Sequence, residues 1–251
     1  MLHKIGFFHF GSGHDKPKEV LESALADVQS DERRLPGTLD PTNSLIVLPE
    51  AFNIGRAYRA EGAANFNRSI LEGLQCLAAR FQVGFVAGLI IHDEGGPSPP
   101  YSAAYLIDGS GCEVMGYKVG ADDMAGKNYT PFRGAPDTKN PILYKGIPVG
   151  ALICVDGHFP ISMSQQLGKR RATVVTPSRV ICLPVHMAKD NLYNGTSGTN
   201  VALIPDWKSK TLIVANSRAD GIDSFITDGS GTILTPTAGG PNHRIVCLPL
   251  A

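Results

Sequence analysis

The chain has 251 residues, 43% of them apolar, enough to bury a sizeable core, and the expected organisation is one α/β domain over 1–251. Its 23 basic and 23 acidic residues balance. With no basic excess to meet phosphates or anionic lipid, neither nucleic acid nor a membrane surface is an expected partner. No stretch reaches the roughly 20 apolar residues of a membrane span. The apolar run at residues 4–10 lacks the length of a signal peptide, so the cytoplasm is the expected location. Five scattered cysteines without a C-x-x-C pair do not form a disulfide framework. Cys182 and His186 have the nearest thing to a metal spacing, but no second pair accompanies them, and neither metal nor cofactor is expected.

Residues 4–10 read as a buried strand. Residues 17–30 read as a helix, with Pro17 at its start, early acids and apolar residues at three-to-four spacing. The charged, Pro/Gly-rich stretch 31–42 reads as a loop. Ser44-Leu45-Ile46-Val47-Leu48-Pro49 is a short strand that stops at proline. Ile70, Leu71, Leu74, Leu77, Ala78 and Phe81 form a helical stripe within 65–81. Strands follow at 83–91, 101–107 and 113–117, the last two making a hairpin across Asp108-Gly109. Further on, the pattern predicts a strand at 148–155, a helix at 161–171 and a strand at 172–176. Residues 180–210 read as a long irregular loop, and strands at 211–216, 222–227 and 231–235 close the series. No repeat or linker divides the chain, which points to a single α/β unit with helices covering its strands.

Three reactive residue types follow apolar runs: Glu50 after Leu45–Pro49, Lys118 after Glu113–Tyr117, and Cys154 after Val149–Ile153. In α/β folds, side chains leave the sheet at the carboxyl ends of strands, where loops can enclose a ligand. Taken singly, each has a plain structural reading: a satisfied carboxylate, a solvated lysine, a small buried hydrophobe. Together they have a chemistry. A thiol titrates near 8.5 and needs a base to become a nucleophile. A carboxylate can take its proton, and an ammonium and the backbone N–H of Val155 can hold the charge that develops on the attacked group. A Cys–His dyad is the competing arrangement, with His186 and His243 as the histidines available from elsewhere in the chain.

The motifs around these residues resemble the nitrilase, or carbon–nitrogen hydrolase, superfamily. Leu48-Pro49-Glu50-Ala51-Phe52 is similar to that family's LPE-x-F segment. Tyr101–Gly111 through Gly116-Tyr117-Lys118 resembles the hairpin ending in its lysine. Gly150–Pro160, containing Cys154-Val155-Asp156-Gly157-His158-Phe159, resembles its nucleophile segment. Thr176-Pro177-Ser178 is similar to its later PS strand end, and Ala215-Asn216 and Asp228–Leu234 to its closing strands. The resemblance implies an α-β-β-α sandwich that commonly pairs into a homodimer or higher oligomer. It implies cofactor-free hydrolysis of a small amide, or else a nitrile or carbamoyl compound, through a thioester. Glu50 would be the base, Lys118 the oxyanion partner and Cys154 the nucleophile.

Around that set, Asn128 stands where many members carry a second glutamate, and Arg179 follows the PS pair, where a guanidinium could bind a substrate carboxylate. Asn128, Val155, Asp156, His158, Phe159, Ser178 and Arg179 are therefore the candidate substrate-side residues. For Asp156 and His158 the competing reading is structural, with Asp156 fixing the turn and His158 packing beside it. Asp122 and Asp123 are alternative acids, and Tyr58, Arg59, Tyr129, Phe132 and Tyr193 are candidate pocket walls. Two other functions fit the same residues. One is a binding or scaffold protein that keeps the fold, motivated by Asn128 and by the reworked stretch after Lys118. The other is acyl transfer to an amine, which shares the chemistry up to the thioester.

Overall fold

Alternation of apolar side chains decides how the strands stack. The computed structural model describes residues 1–10, 16–34, 41–54, 69–91, 100–121, 125, 129–133, 139–158, 165–186, 209–217, 224–230, 232, 234 and 243–250. In chain order these form β1 (Lys4–Phe10), α1 (Pro17–Arg34), β2 (Ser44–Leu48), α2 (Ser69–Phe81), β3 (Gly84–Ile91), β4 (Tyr101–Asp108) and β5 (Gly111–Tyr117). Then follow β6 (Ile142–Tyr144), β7 (Ile147–Ala151), α3 (Val155–His158), α4 (Gln165–Val175), β8 (Val180–Val185), β9 (Thr211–Asn216), β10 (Phe225–Thr227) and β11 (His243–Pro249).

The strands make a six-stranded sheet, in the order β11-β1-β2-β3-β4-β5, and a five-stranded sheet, in the order β10-β9-β8-β7-β6. Successive residues of a strand face opposite sides. Ile5, Phe7, Leu45, Val47, Val86 and Met115 therefore point inward, where they share one core with Ala151, Cys182 and Val214 of the second sheet. Their neighbours Phe8, Ile46, Leu48, Phe85 and Ala87 point outward and are covered by Leu21 and Leu25 of α1 and Leu74 and Phe81 of α2. Helix α4 lies against β7 on the far side. The result is the α-β-β-α sandwich that the motifs imply. Among the described residues, no helix is long and apolar enough to cross a membrane.

Strand direction fixes where the site forms. β1, β2 and β3 run parallel, and β5 regains their direction through two antiparallel pairings with β4. β7, β8 and β9 are also parallel. The carboxyl ends of β2 and β5 thus share one edge, and those of β7, β8 and β9 another. The two edges meet where the Glu50 N–H donates to Val185 O at 3.4 Å.

Several elements differ from the sequence pattern. α1 continues through 31–34 because Asp31-Glu32-Arg33-Arg34, though charged, lacks the Pro and Gly that end a helix. Residues 172–175, predicted as a strand from their β-branched side chains, are the last turn of α4, because Leu167, Arg171 and Val174 complete a helical stripe. The strand is β8, inside the stretch read as a loop; it forms despite Pro184. β7 ends at Ala151 rather than running to Val155, and Val155 already belongs to α3. β6 and β11 were not anticipated: the first is three residues long, and the second pairs antiparallel with β1, a contact that local pattern does not reveal. The strand predicted at 231–235 lies largely outside the described residues.

Candidate active site

Glu50 sits just beyond β2, Lys118 directly after β5, and Cys154 just beyond β7. The Lys118 ammonium donates to Glu50 Oε1 at 2.6 Å, and both side chains are 0% exposed. Burying two charges away from water costs several kcal/mol for each ion, which their attraction must offset. A lone surface lysine has no need of such an arrangement. Below the ammonium lies the Tyr129 ring, its centroid 4.7 Å from Nζ, and Tyr129 is itself fully buried. A cation over an aromatic face is a further favourable contact.

Cys154 is 4% exposed and has φ of +45°. The left-handed region costs a non-glycine residue about 1–3 kcal/mol and persists where the surroundings impose it. Here the Cys154 N–H donates to Pro184 O at 2.9 Å, while its carbonyl accepts from Gly157 N at 2.9 Å. The chain therefore turns sharply out of the sheet and into α3. The same strand end also holds Glu50: Pro184 O takes the Cys154 amide, and Val185 O takes the Glu50 amide. Gly88 leaves room for this convergence, since a Cβ there would come within 3.0 Å of Glu50 Cα and 2.9 Å of Pro184 Cβ. Ala51, next to Glu50, is also left-handed, at φ +56°.

Asp156, 1% exposed, joins the turn of Cys154 to the loop after Lys118. Its Oδ1 accepts from Gly120 N at 2.7 Å and its Oδ2 from Val119 N at 2.9 Å. The Arg170 guanidinium pairs with the same Oδ2. Val155 opens α3 and His158 closes it.

Other candidates lie elsewhere. Ser178 and Arg179 precede β8, at the end of the parallel strands opposite Cys154: the Arg179 N–H donates to Pro148 O at 2.9 Å, near the start of β7. The Ser178 hydroxyl donates to Val174 O at 2.6 Å and packs over Gly150. The proline-bearing strand end beside Cys154 is Pro184-Val185-His186, not Thr176-Pro177-Ser178. His186 follows β8 with Nδ1 hydrogen-bonded to Ser217 Oγ, whereas His243 opens β11, on the edge of the other sheet. Phe132 stacks on Tyr117, with ring centroids 4.3 Å apart. Asn128, Phe159, Tyr58, Arg59, Asp122, Asp123 and Tyr193 lie outside the described residues. Among the described residues, no three His, Cys, Asp or Glu side chains group as a metal site.

Arg170 and Arg171 did not stand out in the sequence, because Lys169-Arg170-Arg171 reads as a solvated basic run. The available signal was spacing, which places Arg171 on the stripe of Leu167 and Val174.

A two-sheet sandwich with a buried carboxylate–ammonium pair beside a cysteine in a strained turn defines an amidase- or nitrilase-type architecture. An amidase from Nesterenkonia sp. superposes with a TM-score of 0.68 at 16% identity, covering 99% of this chain and 90% of that one. A mutant of the Nesterenkonia sp. AN1 amidase, covalently modified at its active-site cysteine by the acetamide moiety of fluoroacetamide, gives 0.69 at 15% identity, covering 99% and 90%. A mutant of the same amidase in complex with butyramide gives 0.67 at 15% identity, covering 99% and 91%. At these identities the likeness is one of fold. No curated protein matches the sequence. Residues 38–202, more than half of the chain, match the carbon-nitrogen hydrolase family model, and the chain belongs to that family of amidase- and nitrilase-type enzymes.

Proposed function

We propose that this chain, acting as one domain over residues 1–251, hydrolyses the C–N bond of a small amide through a thioester on Cys154. The observation that carries the reading is the buried Glu50–Lys118 pair, held to Cys154 through the end of β8. Glu50 takes the thiol proton, and the thiolate attacks the amide carbonyl carbon. The oxyanion that forms is met by the Lys118 ammonium and the N–H of Val155, in the first turn of α3, where amides have no intrahelical acceptor. As the oxyanion collapses, the C–N bond breaks and the nitrogen leaves with the proton from Glu50. Glu50 then takes a proton from water, the hydroxide adds to the thioester carbon, and the C–S bond breaks to release the carboxylic acid and the thiolate, which takes the proton back from Glu50. The Nesterenkonia amidase, crystallised with butyramide, sets the size class of the first substrates to try.

Intact-protein mass spectrometry after incubation with short amides and an acid quench tests this reading, with Cys154→Ala alongside. The wild type alone should carry an acyl adduct, and turnover in Cys154→Ala should fall on the order of 10⁶-fold. Undiminished turnover in Cys154→Ala would sink the mechanism.

A further inference from the structure

Lys118 belongs to one sheet and Cys154 to the other, and the core between them is apolar. Apolar packing alone does not aim an ammonium at a reacting atom. We propose that Asp156 and Arg170 are a positioning pair: Asp156 locks the loop of Lys118 onto the turn of Cys154, and Arg170 cancels the charge that this lock places beside the nucleophile. The inference rests on the reading that Lys118 and Cys154 carry the chemistry.

The lock is visible from both sides. The Asp156 carboxylate, just past Cys154 in the chain, accepts the two amides that directly follow Lys118. The Gly120 carbonyl accepts from the Tyr129 hydroxyl at 3.1 Å, and the Tyr129 ring lies under the ammonium. Gly120 leaves no slack, because a Cβ there would come within 2.6 Å of both Asp156 Oδ1 and Val155 Cγ1. Only a carboxylate can do this work. An asparagine has one acceptor oxygen, and its NH₂ group would face the second N–H.

A carboxylate so close to Cys154 also has a cost, since a nearby like charge disfavours the thiolate. Arg170 answers that cost with a guanidinium on Oδ2. Its neighbour Arg171, 2% exposed, donates to Gly157 O at 3.1 Å. Two successive arginines of α4 thus grip successive residues of the nucleophile turn. Arginines are almost never fully buried unless paired, and the exposed Lys169 beside them shows that α4 can place charge in solvent. The arrangement holds a two-acceptor clamp in place without its electric field.

Two single variants separate this from a merely structural role. Asp156→Asn leaves the Arg170 charge in place and loosens the lysine loop. Arg170→Gln leaves the Asp156 charge uncompensated. Both should lower kcat on butyramide, by about 10²-fold for a displacement near 1 Å, with KM nearly unchanged. Alkylation of Cys154 by iodoacetamide, read by peptide mass spectrometry at neutral pH, should separate the two variants. It should slow by about tenfold in Arg170→Gln and should not slow in Asp156→Asn, since the thiolate fraction follows local charge. Arg170→Lys should restore most of the loss. Buried Cys182 reports unfolding in the same samples, because it is modified only when the fold opens. Alkylation of Cys154 that falls equally in both variants, or that falls in step with Cys182 modification, would overturn the proposal, as would wild-type alkylation in Arg170→Gln. Failure of the underlying reading looks different: it is undiminished turnover in Cys154→Ala, and it takes this inference with it.

Discussion

The parallel strands β7, β8 and β9 have two ends with opposite characters. At the carboxyl end, charges are buried and paired: Lys118 with Glu50, Arg170 with Asp156. At the amino end, polar groups tie down single backbone carbonyls or reach solvent, and among those described none is a buried ion pair. Arg179 is exposed, Ser178 caps the Val174 carbonyl, and the Lys210 ammonium donates to Thr176 O at 2.8 Å. Satisfying a single carbonyl with one neutral or exposed donor is worth about 1 kcal/mol. Burying an ion pair gambles several kcal/mol on geometry. The difference teaches that cost, more than the mere presence of polar residues, sets apart the end to which the proposed mechanism assigns the chemistry.

The strongest test breaks the pair at the carboxyl end. Lys118→Met should lower turnover by about 10²–10³-fold and destabilise the fold by about 3–5 kcal/mol, because Glu50 is left as an uncompensated buried charge. Glu50→Gln should lower turnover by about 10²–10⁴-fold. The double variant should be more stable to urea than Lys118→Met alone. If Lys118→Met were as stable as wild type, the pair would be no more costly than a surface one, and the comparison would fail.

A smaller effect is expected midway along β8, at Cys182. Burial pushes its thiol well above the ordinary value of 9.0. The thiol stays neutral in the fold but ionises in the unfolded chain. Its contribution to stability is therefore complete below that value and drains as pH rises past it, by up to about 1.4 kcal/mol per pH unit. Urea unfolding on either side of pH 9.0 should show a steeper decline for wild type than for Cys182→Val. Equal slopes would mean that Cys182 meets water.

The smallest effect belongs to the amino end. Arg179→Ala should change stability by less than about 0.5 kcal/mol and leave kcat/KM on butyramide within about twofold. A tenfold loss would show that this end also handles substrate.

The placement of Glu50, Lys118 and Cys154 in the candidate site was legible in the sequence because these residues directly follow apolar runs. Leu45–Leu48 and Glu113–Tyr117 are strands, and the residues after them emerge where the pattern predicts. The misplaced residues share one cause. When 172–176 is read as a strand, Ser178 and Arg179 fall at its carboxyl end. With the strand at Val180–Val185, the same residues stand at its beginning, the full length of a strand away from Cys154. A β-branched run such as Thr173-Val174-Val175 does not declare whether it ends a helix or starts a strand, and packing against β7 decided it. The Asp156–Arg170 contact was illegible for another reason. It joins α3 to α4, and no local spacing distinguishes an arginine that turns inward from one that turns to solvent.

Glu50 and Lys118 hang from one sheet and Cys154 from the other, so the proposed mechanism draws its groups from both sides of the interface between the sheets. Under that mechanism, a shear of about an ångström between the two layers would leave every strand intact and every helix formed, yet would cost about 10² in rate. Warming or pressurising the protein should therefore silence it reversibly before circular dichroism registers any melting. On the proposed mechanism, turnover becomes a gauge of how well two leaves of a sandwich stay in register.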